Sequence, residues 1–130
     1  VEKLKTSDVG RWGEDISCAF LRLEGLRVVD RNYRVGRLEL DIVALDGAEV
    51  VFVEVKLRSR SDRGGALEAV DWKKQRALAR AASCYISRRK PAASRCRFDV
   101  IAISVDPRLR ELRLRHVVRA FEAAPDLNLI

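Results

Sequence analysis

The sequence predicts an α/β fold: a mixed central sheet flanked by helices, in the order α-β-β-β-α-β-β. Three observations carry that expectation. Two stretches, Val9 to Leu23 and Leu67 to Tyr85, place apolar side chains at helical spacing. Leu38, Leu40, Ile42 and Ala44 alternate with Glu39, Asp41 and Val43, the period of a strand. Two further runs, Val50–Val51–Phe52–Val53 and Phe98 to Val105, are rich in β-branched residues. A chain of 130 residues is long enough for one real core, so residues 1–130 read as a single domain.

Each element has its own signals. Ser7 or Asp8 is a candidate cap for a first helix that runs to about Glu24, where Gly25 stops it. Val9, Trp12, Ile16, Phe20 and Leu23 form its apolar stripe. A first strand starts at Leu26 and continues toward Tyr33, with Gly36 as its break. The second strand spans Leu38 to Ala44, Asp46–Gly47 is a turn signal, and the third strand runs from Val50 to about Arg58. Ser59 to Gly65 is a polar loop. A second helix then spans about Leu67 to Ser87, and Arg88–Arg89–Lys90–Pro91 ends it. Phe98 to Val105 is the fourth strand, closed by Asp106–Pro107. Leu112 and Leu114 alternate with Arg113 and Arg115 in a short fifth strand, and His116 to Ala123 reads as a final short helix.

Composition narrows the partners. A net charge of +7 and a pI near 9.8 favour a polyanion, nucleic acid first. No apolar stretch approaches the roughly 18 residues of a spanning helix, and no basic amphipathic helix stands apart, so no membrane role is expected. Val1 to Asp8 is mostly polar and charged, unlike a signal peptide, and the chain starts without methionine, as a trimmed or partial sequence would. Cys18, Cys84 and Cys96 are odd in number, widely spaced and without a C-x-x-C pattern. They read as small buried residues in a reducing cytoplasm, not as a zinc site or disulfide framework.

The chemistry lies in the second and third strands. Glu54–Val55–Lys56 ends the apolar run of the third strand, and Asp41 lies 13 positions upstream. Residues at i and i+2 on a strand share a face. Two carboxylates and a lysine gathered there are what metal-dependent phosphodiester hydrolysis needs: oxygen ligands for a hard cation, and an amine to stabilise charge or activate water. The plain alternative is an edge strand with its charges in solvent. In a hairpin pairing Leu45 with Ala48, Glu39 falls opposite Glu54. Pairing Leu45 with Val50 puts Asp41 opposite Glu54. Both registers place Glu39, Asp41, Glu54 and Lys56 on one face; a one-residue slip splits them. The second helix adds Lys74, inside the apolar stripe of Leu67, Val70, Leu78, Ala81 and Tyr85. It either snorkels at the core margin or points to the carboxylates or a phosphate. Gln75 faces the same groove only if Lys74 is near its edge.

Taken together, these motifs are familiar. Gly10-x-x-Gly13–Glu14, Arg31–Asn32–Tyr33–Arg34, Glu39–Leu40–Asp41–Ile42–Val43–Ala44 and Val51–Phe52–Val53–Glu54–Val55–Lys56-x-Arg58 are joined by Glu68–Ala69–Val70-x-x-x-Lys74–Gln75 and Arg97–Phe98–Asp99–Val100. The set resembles the YraN family of bacterial endonuclease-like proteins, related to archaeal Holliday-junction resolvases of the restriction-endonuclease-like PD-(D/E)xK fold. The resemblance implies that Asp41 is the first strand carboxylate and that Glu54 and Lys56 are the E-x-K pair. It makes Glu14 a first-helix metal ligand and Lys74 and Gln75 an accessory catalytic pair. Leu40 stands where the motif name has proline. On an ideal helix Glu14 falls about 160° from the Ile16 stripe, so it reaches a site only if that other face lines the groove; otherwise it is a solvated glutamate.

The leading expectation is therefore a metal-dependent DNA endonuclease, with branched DNA among its candidate substrates. Asp41 and Glu54 would hold Mg²⁺ or Mn²⁺, with the Val55 carbonyl, Glu14 and Glu39 as further ligands. Lys56 would act on the attacking water and the developing charge. Arg58, Arg60, Arg63 and Lys73 are candidate phosphate contacts, and Arg88, Arg89 and Lys90 a weaker patch that also suits a helix C-terminus. A homodimer is expected only by the resemblance, since resolvases cut junctions in pairs. The alternatives are a nucleic-acid-binding module of this fold without nuclease activity, and an assembly or scaffold protein. His116 reads as structural.

Overall fold

A computed structural model describes residues 6–59, 70–93, 95–106 and 108–122. The elements are α1 (Thr6–Leu23), β1 (Arg27–Val35), β2 (Leu38–Asp46), β3 (Glu49–Ser59), α2 (Trp72–Arg89), β4 (Arg95–Asp106) and β5 (Glu111–Phe121). The five strands lie in sequence order in one sheet. All neighbours pair antiparallel except β3 and β4, which are parallel, so a crossover containing α2 joins them. The order α-β-β-β-α-β-β is the one the patterning predicts.

β3 is buried on both faces, which explains its unbroken apolar run. Val50 and Phe52 pack with Leu78, Ala82 and Tyr85 of α2, while Val51 and Val53 pack with Cys18 and Leu21 of α1. The two helices thus cover opposite faces of the sheet. On the α2 side Phe52, Phe98 and Phe121 stack in a row with centroids 5.5 and 4.9 Å apart.

The ends of α1 and α2 follow local chemistry. Gly25 adopts φ +92°, the Leu26 N–H donates to the Leu21 carbonyl and the Gly25 N–H to that of Arg22. This is a left-handed helix stop, with Leu21 and Leu26 buried together beneath it. In α2, Asp71 is the N-cap and accepts from the Lys74 N–H at 2.8 Å, and Lys90 closes the helix at φ +44°. The predicted start at Leu67 lies outside the described residues.

Three expectations need correction. Helix α1 begins at Thr6, so Ser7 and Asp8 fall within its first turn. Its buried face is also rotated: Ser17, Cys18 and Leu21 are buried, whereas Trp12 is 40% and Leu23 87% exposed. Gly13 lies on the buried face, where a Cβ would come to 3.0 Å from the Leu57 side chain on β3. Finally, His116 to Phe121 is strand, not helix. A bulge between Phe98 and Val100, with Arg119 at φ +54°, resets the alternation. Val117, Ala120 and Phe121 consequently all pack on the α2-side core, at a spacing that mimics a helix.

Candidate metal and nucleic-acid site

The β2–β3 hairpin adopts the register that pairs Leu45 with Val50, closed by Asp46 opposite Glu49. Gly47 adopts φ +59° in the turn, as the Asp46–Gly47 signal requires. The ladder then runs only to Ile42 opposite Val53. Beyond it the Val55 N–H donates to Oδ2 of Asp41 at 2.9 Å, so a side chain replaces the main-chain acceptor where the strands part.

Alternation along β2 also breaks at Asp41. Leu38 and Leu40 pack toward α2, as do Val43 and Leu45, while Ile42 and Ala44 pack toward α1. On β1, Arg31 pairs with Ile42 and Tyr33 with Leu40. Asn32, between them, is at φ +52°, a conformation asparagine tolerates better than most residues. This paired irregularity changes the expected geometry. Glu39, Asp41, Glu54 and Lys56 do not share one face, because the break turns Glu39 to the α1 side.

The break gathers acids from both faces. Carboxylate oxygens of Glu14, Glu39 and Asp41 lie within 4.8 Å of one another. Glu14 reaches them because the rotated face of α1 carries it to the sheet margin, where its side chain is 16% exposed. Its carboxyl is held above the usual range, chiefly by burial, against a hydrogen bond from Asn32 and the nearby Arg31. Glu54 is buried on the α2 side, with Oε1 3.4 Å from Lys56 Nζ and 3.8 Å from Lys74 Nζ. Its Oε2 is buried with no hydrogen-bond partner among the described residues. Asp41 and Glu54 line one small cavity of about 10 Å³ with Leu40, Phe52, Val53 and Leu78.

Asp41 stands between the two groups of acids. Burial, then Glu54, push its carboxyl up to about 7, with smaller pushes from Glu14 and Glu39 and an opposing pull from the Val55 N–H. Folding without a cation therefore favours neutral Asp41. The cost is absent below the ordinary pKa near 3.8, grows as pH rises and is complete above about 7. Asp41→Asn keeps an acceptor for the Val55 N–H and removes the charge. In chelator at pH 8 the variant is expected to be the more stable by up to about 4 kcal/mol, a gain that vanishes by about pH 3. Thermal melts at the two pH values check this.

The other candidates fall in different places. Lys74 points to the carboxylates rather than only along the core margin. Gln75 instead donates from Nε2 to the Val70 carbonyl at 2.9 Å, which fixes the start of α2. Arg58 is half-buried in β3, and its Nε has no partner among the described residues. Lys73 is exposed on α2. Arg60 and Arg63 lie outside the described residues. Arg89 pairs with Asp30 at 3.7 Å and lies over the Tyr33 ring, which ties part of the helix C-terminal patch to the fold.

A second buried network involves the Arg97–Phe98–Asp99–Val100 motif, to which the sequence assigned no role. Asp99 is fully buried and accepts from Arg97 Nε at 3.1 Å and the Arg119 N–H at 3.0 Å, and it meets His116 Nε2 at 2.8 Å. Glu49 accepts from Arg97 at 3.0 Å and Arg119 at 2.8 Å. Arg97 and Asp99, two apart in a β-branched run, were the available signal. His116 is structural here, joining β5 to β4 and meeting Phe20 edge-on at 5.8 Å.

A profile of Uncharacterised protein family UPF0102 matches residues 13–103. A UPF0102 protein of Chlorobium phaeobacteroides is 45% identical over 118 residues, 88% of this chain and 94% of that one. One from Pseudomonas syringae is 43% identical over 108 residues, 82% of this chain and 88% of that one. The protein is thus a mixed α/β protein with an acidic centre at a break in its sheet. It belongs to the UPF0102 family, the YraN family its motifs resemble. Among solved structures, an XisH family protein from Nostoc punctiforme aligns at TM-score 0.39 and 14% identity, over 81% of this chain and 98% of that one. SfsA of Pyrococcus furiosus, in complex with Ca²⁺, aligns at 0.38 and 16%, over 85% and 63%. No helix among the described residues is long and apolar enough to cross a membrane.

Proposed function

We propose that the protein is a divalent-metal-dependent DNA endonuclease. The observation that carries this reading is Asp41, held at the parting of β2 and β3 between Glu14 and Glu39 on one side and Glu54 with its two lysines on the other. The donors suit a hard cation. The side-chain donors are all carboxylate oxygens, and Glu54 Oε2 is a buried acceptor without a partner among the described residues. Asp41 and Glu54 would hold Mg²⁺ or Mn²⁺, with Glu14, Glu39 and the Val55 carbonyl as further ligands. A cation bound there supplies Lewis-acid polarisation of the phosphodiester and lowers the pKa of water.

The chain's own residues do the rest. Asp41 is oriented by the Val55 N–H, which holds one carboxylate oxygen, Oδ2. Lys56 places a positive charge 3.4 Å from Glu54, beside the position a scissile phosphate would take. Lys74 adds a second positive charge from α2. Gln75 has a positioning role, because it fixes the turn that carries Lys74. Arg58 and Lys73 would contact flanking phosphates.

Cleavage of single-stranded, duplex, flap and four-way DNA, each with Mg²⁺, Mn²⁺ or chelator, tests the reading. Metal-dependent cutting of at least one substrate is the expected result. DNA binding without cutting under any condition would replace it with the binding-module alternative. Binding itself should be strongly salt-dependent: affinity is expected to fall at least about a hundredfold between roughly 50 and 200 mM salt, from release of counterions by several phosphate contacts. Fluorescence polarisation of a labelled oligonucleotide measures this.

A further inference from the structure

We infer that Trp72, backed by Arg76, is a stacking platform for an unpaired DNA base on the outer face of α2. The inference rests on the nuclease reading above and deepens it, by favouring substrates with single-stranded character. Trp72 is the first residue of α2 and is 65% exposed, although tryptophan is a large apolar residue. Arg76, one turn on, places its Cζ 4.8 Å from the ring centroid. The guanidinium holds the indole from one side by a cation–π contact. With most of the residue still exposed, the other face is presented to a planar partner.

Position and charge say which partner fits. Lys74, two residues on, reaches Glu54 at 3.8 Å from the inner side of α2, and residues two apart lie about 200° around a helix, so the ring stands on the outer, exposed face. Helix α2 carries six basic residues and no acidic one. Lys73, Arg76 and Arg80 recur at helical spacing on its exposed face, and none of them forms an ion pair among the described residues. That stripe suits a phosphate backbone, while the ring at its head suits a base. Bases inside a duplex stack on each other and leave no face for the indole. A flap, a junction arm or a single strand offers one.

Trp12 and Trp72 are the only tryptophans, so Trp12→Phe leaves Trp72 as the single indole reporter. In that background, with chelator present to prevent cutting, a single-stranded oligonucleotide is expected to quench the fluorescence, and a blunt duplex of equal length to leave it unchanged. Trp72→Ala should lower affinity for the single strand about tenfold relative to affinity for the duplex. Trp72→Phe should restore part of the difference. Circular dichroism checks that each variant is folded. No quenching by single strands, or an equal loss on both DNA forms, would overturn the inference and leave the nuclease reading standing. Binding to no DNA form at all would overturn both.

Discussion

Glu54→Gln is expected to lower DNA cleavage on the order of a thousandfold while the protein stays folded and still binds DNA. Glu54 is the buried acid between Lys56 and Lys74, and its Oε2 has no other partner among the described residues. Gln keeps the shape but removes the charge that would hold a cation. Lys56→Ala should cost about a hundredfold and act on the chemical step, since an ammonium is not a metal ligand. Raising Mn²⁺ should therefore rescue Glu54→Gln in part and Lys56→Ala not at all. Single-turnover cleavage across a metal series separates the two. Equal activity of Glu54→Gln and the wild type would point to a contaminating nuclease.

Asp99→Ala is expected to destabilise the fold by about 3–5 kcal/mol, a large share of the stability of a domain this size. The change strips a partner from buried Arg97, from His116 and from the Arg119 N–H. The milder Asp99→Asn keeps an acceptor and should cost less. Asp99 and Glu49 are both held below their ordinary carboxyl range despite burial, by His116 and the Arg119 N–H in one case and by Arg119 and Arg97 in the other. Their contribution is therefore full above the ordinary values of 3.8 and 4.5 and is lost as pH falls below them. The gap between wild type and Asp99→Asn in urea unfolding should be wide at pH 7 and shrink below about pH 4. A gap independent of pH would mean that the network carries no ionic stabilisation.

Much of the fold was legible because most segments carry only one periodicity. Val50 to Arg58 could hardly be anything but a strand, and Gly25 marked the end of α1 correctly. The failures share a cause: an irregularity that shifts the period. The bulge at Arg119 lines up Val117, Ala120 and Phe121 at helical spacing, so a strand looked like a helix. The break at Asn32 and Asp41 divides Glu39 from Glu54, which simple alternation puts on one face. The rotated face of α1 brings Gly13 against Leu57, a close approach between residues distant in sequence. For the site, strand parity gave Glu54 and Lys56, and the position of Lys74 within an apolar stripe already hinted that it turned inward. What the sequence hid was that Glu14 approaches Asp41 from the other face, because only the folded sheet brings α1 over the break.

Asp41 and Glu54 are expected to take up a divalent cation together. Electron paramagnetic resonance of Mn²⁺, titrated with protein and a short DNA oligonucleotide, tests this most directly, with the DNA alone as reference. The free Mn²⁺ signal should fall further with wild-type protein than with DNA alone, and the combined Asp41→Asn, Glu54→Gln variant should erase that difference while still binding the DNA. Uptake by the double variant equal to wild type, or no uptake by wild type beyond the DNA reference, would contradict it.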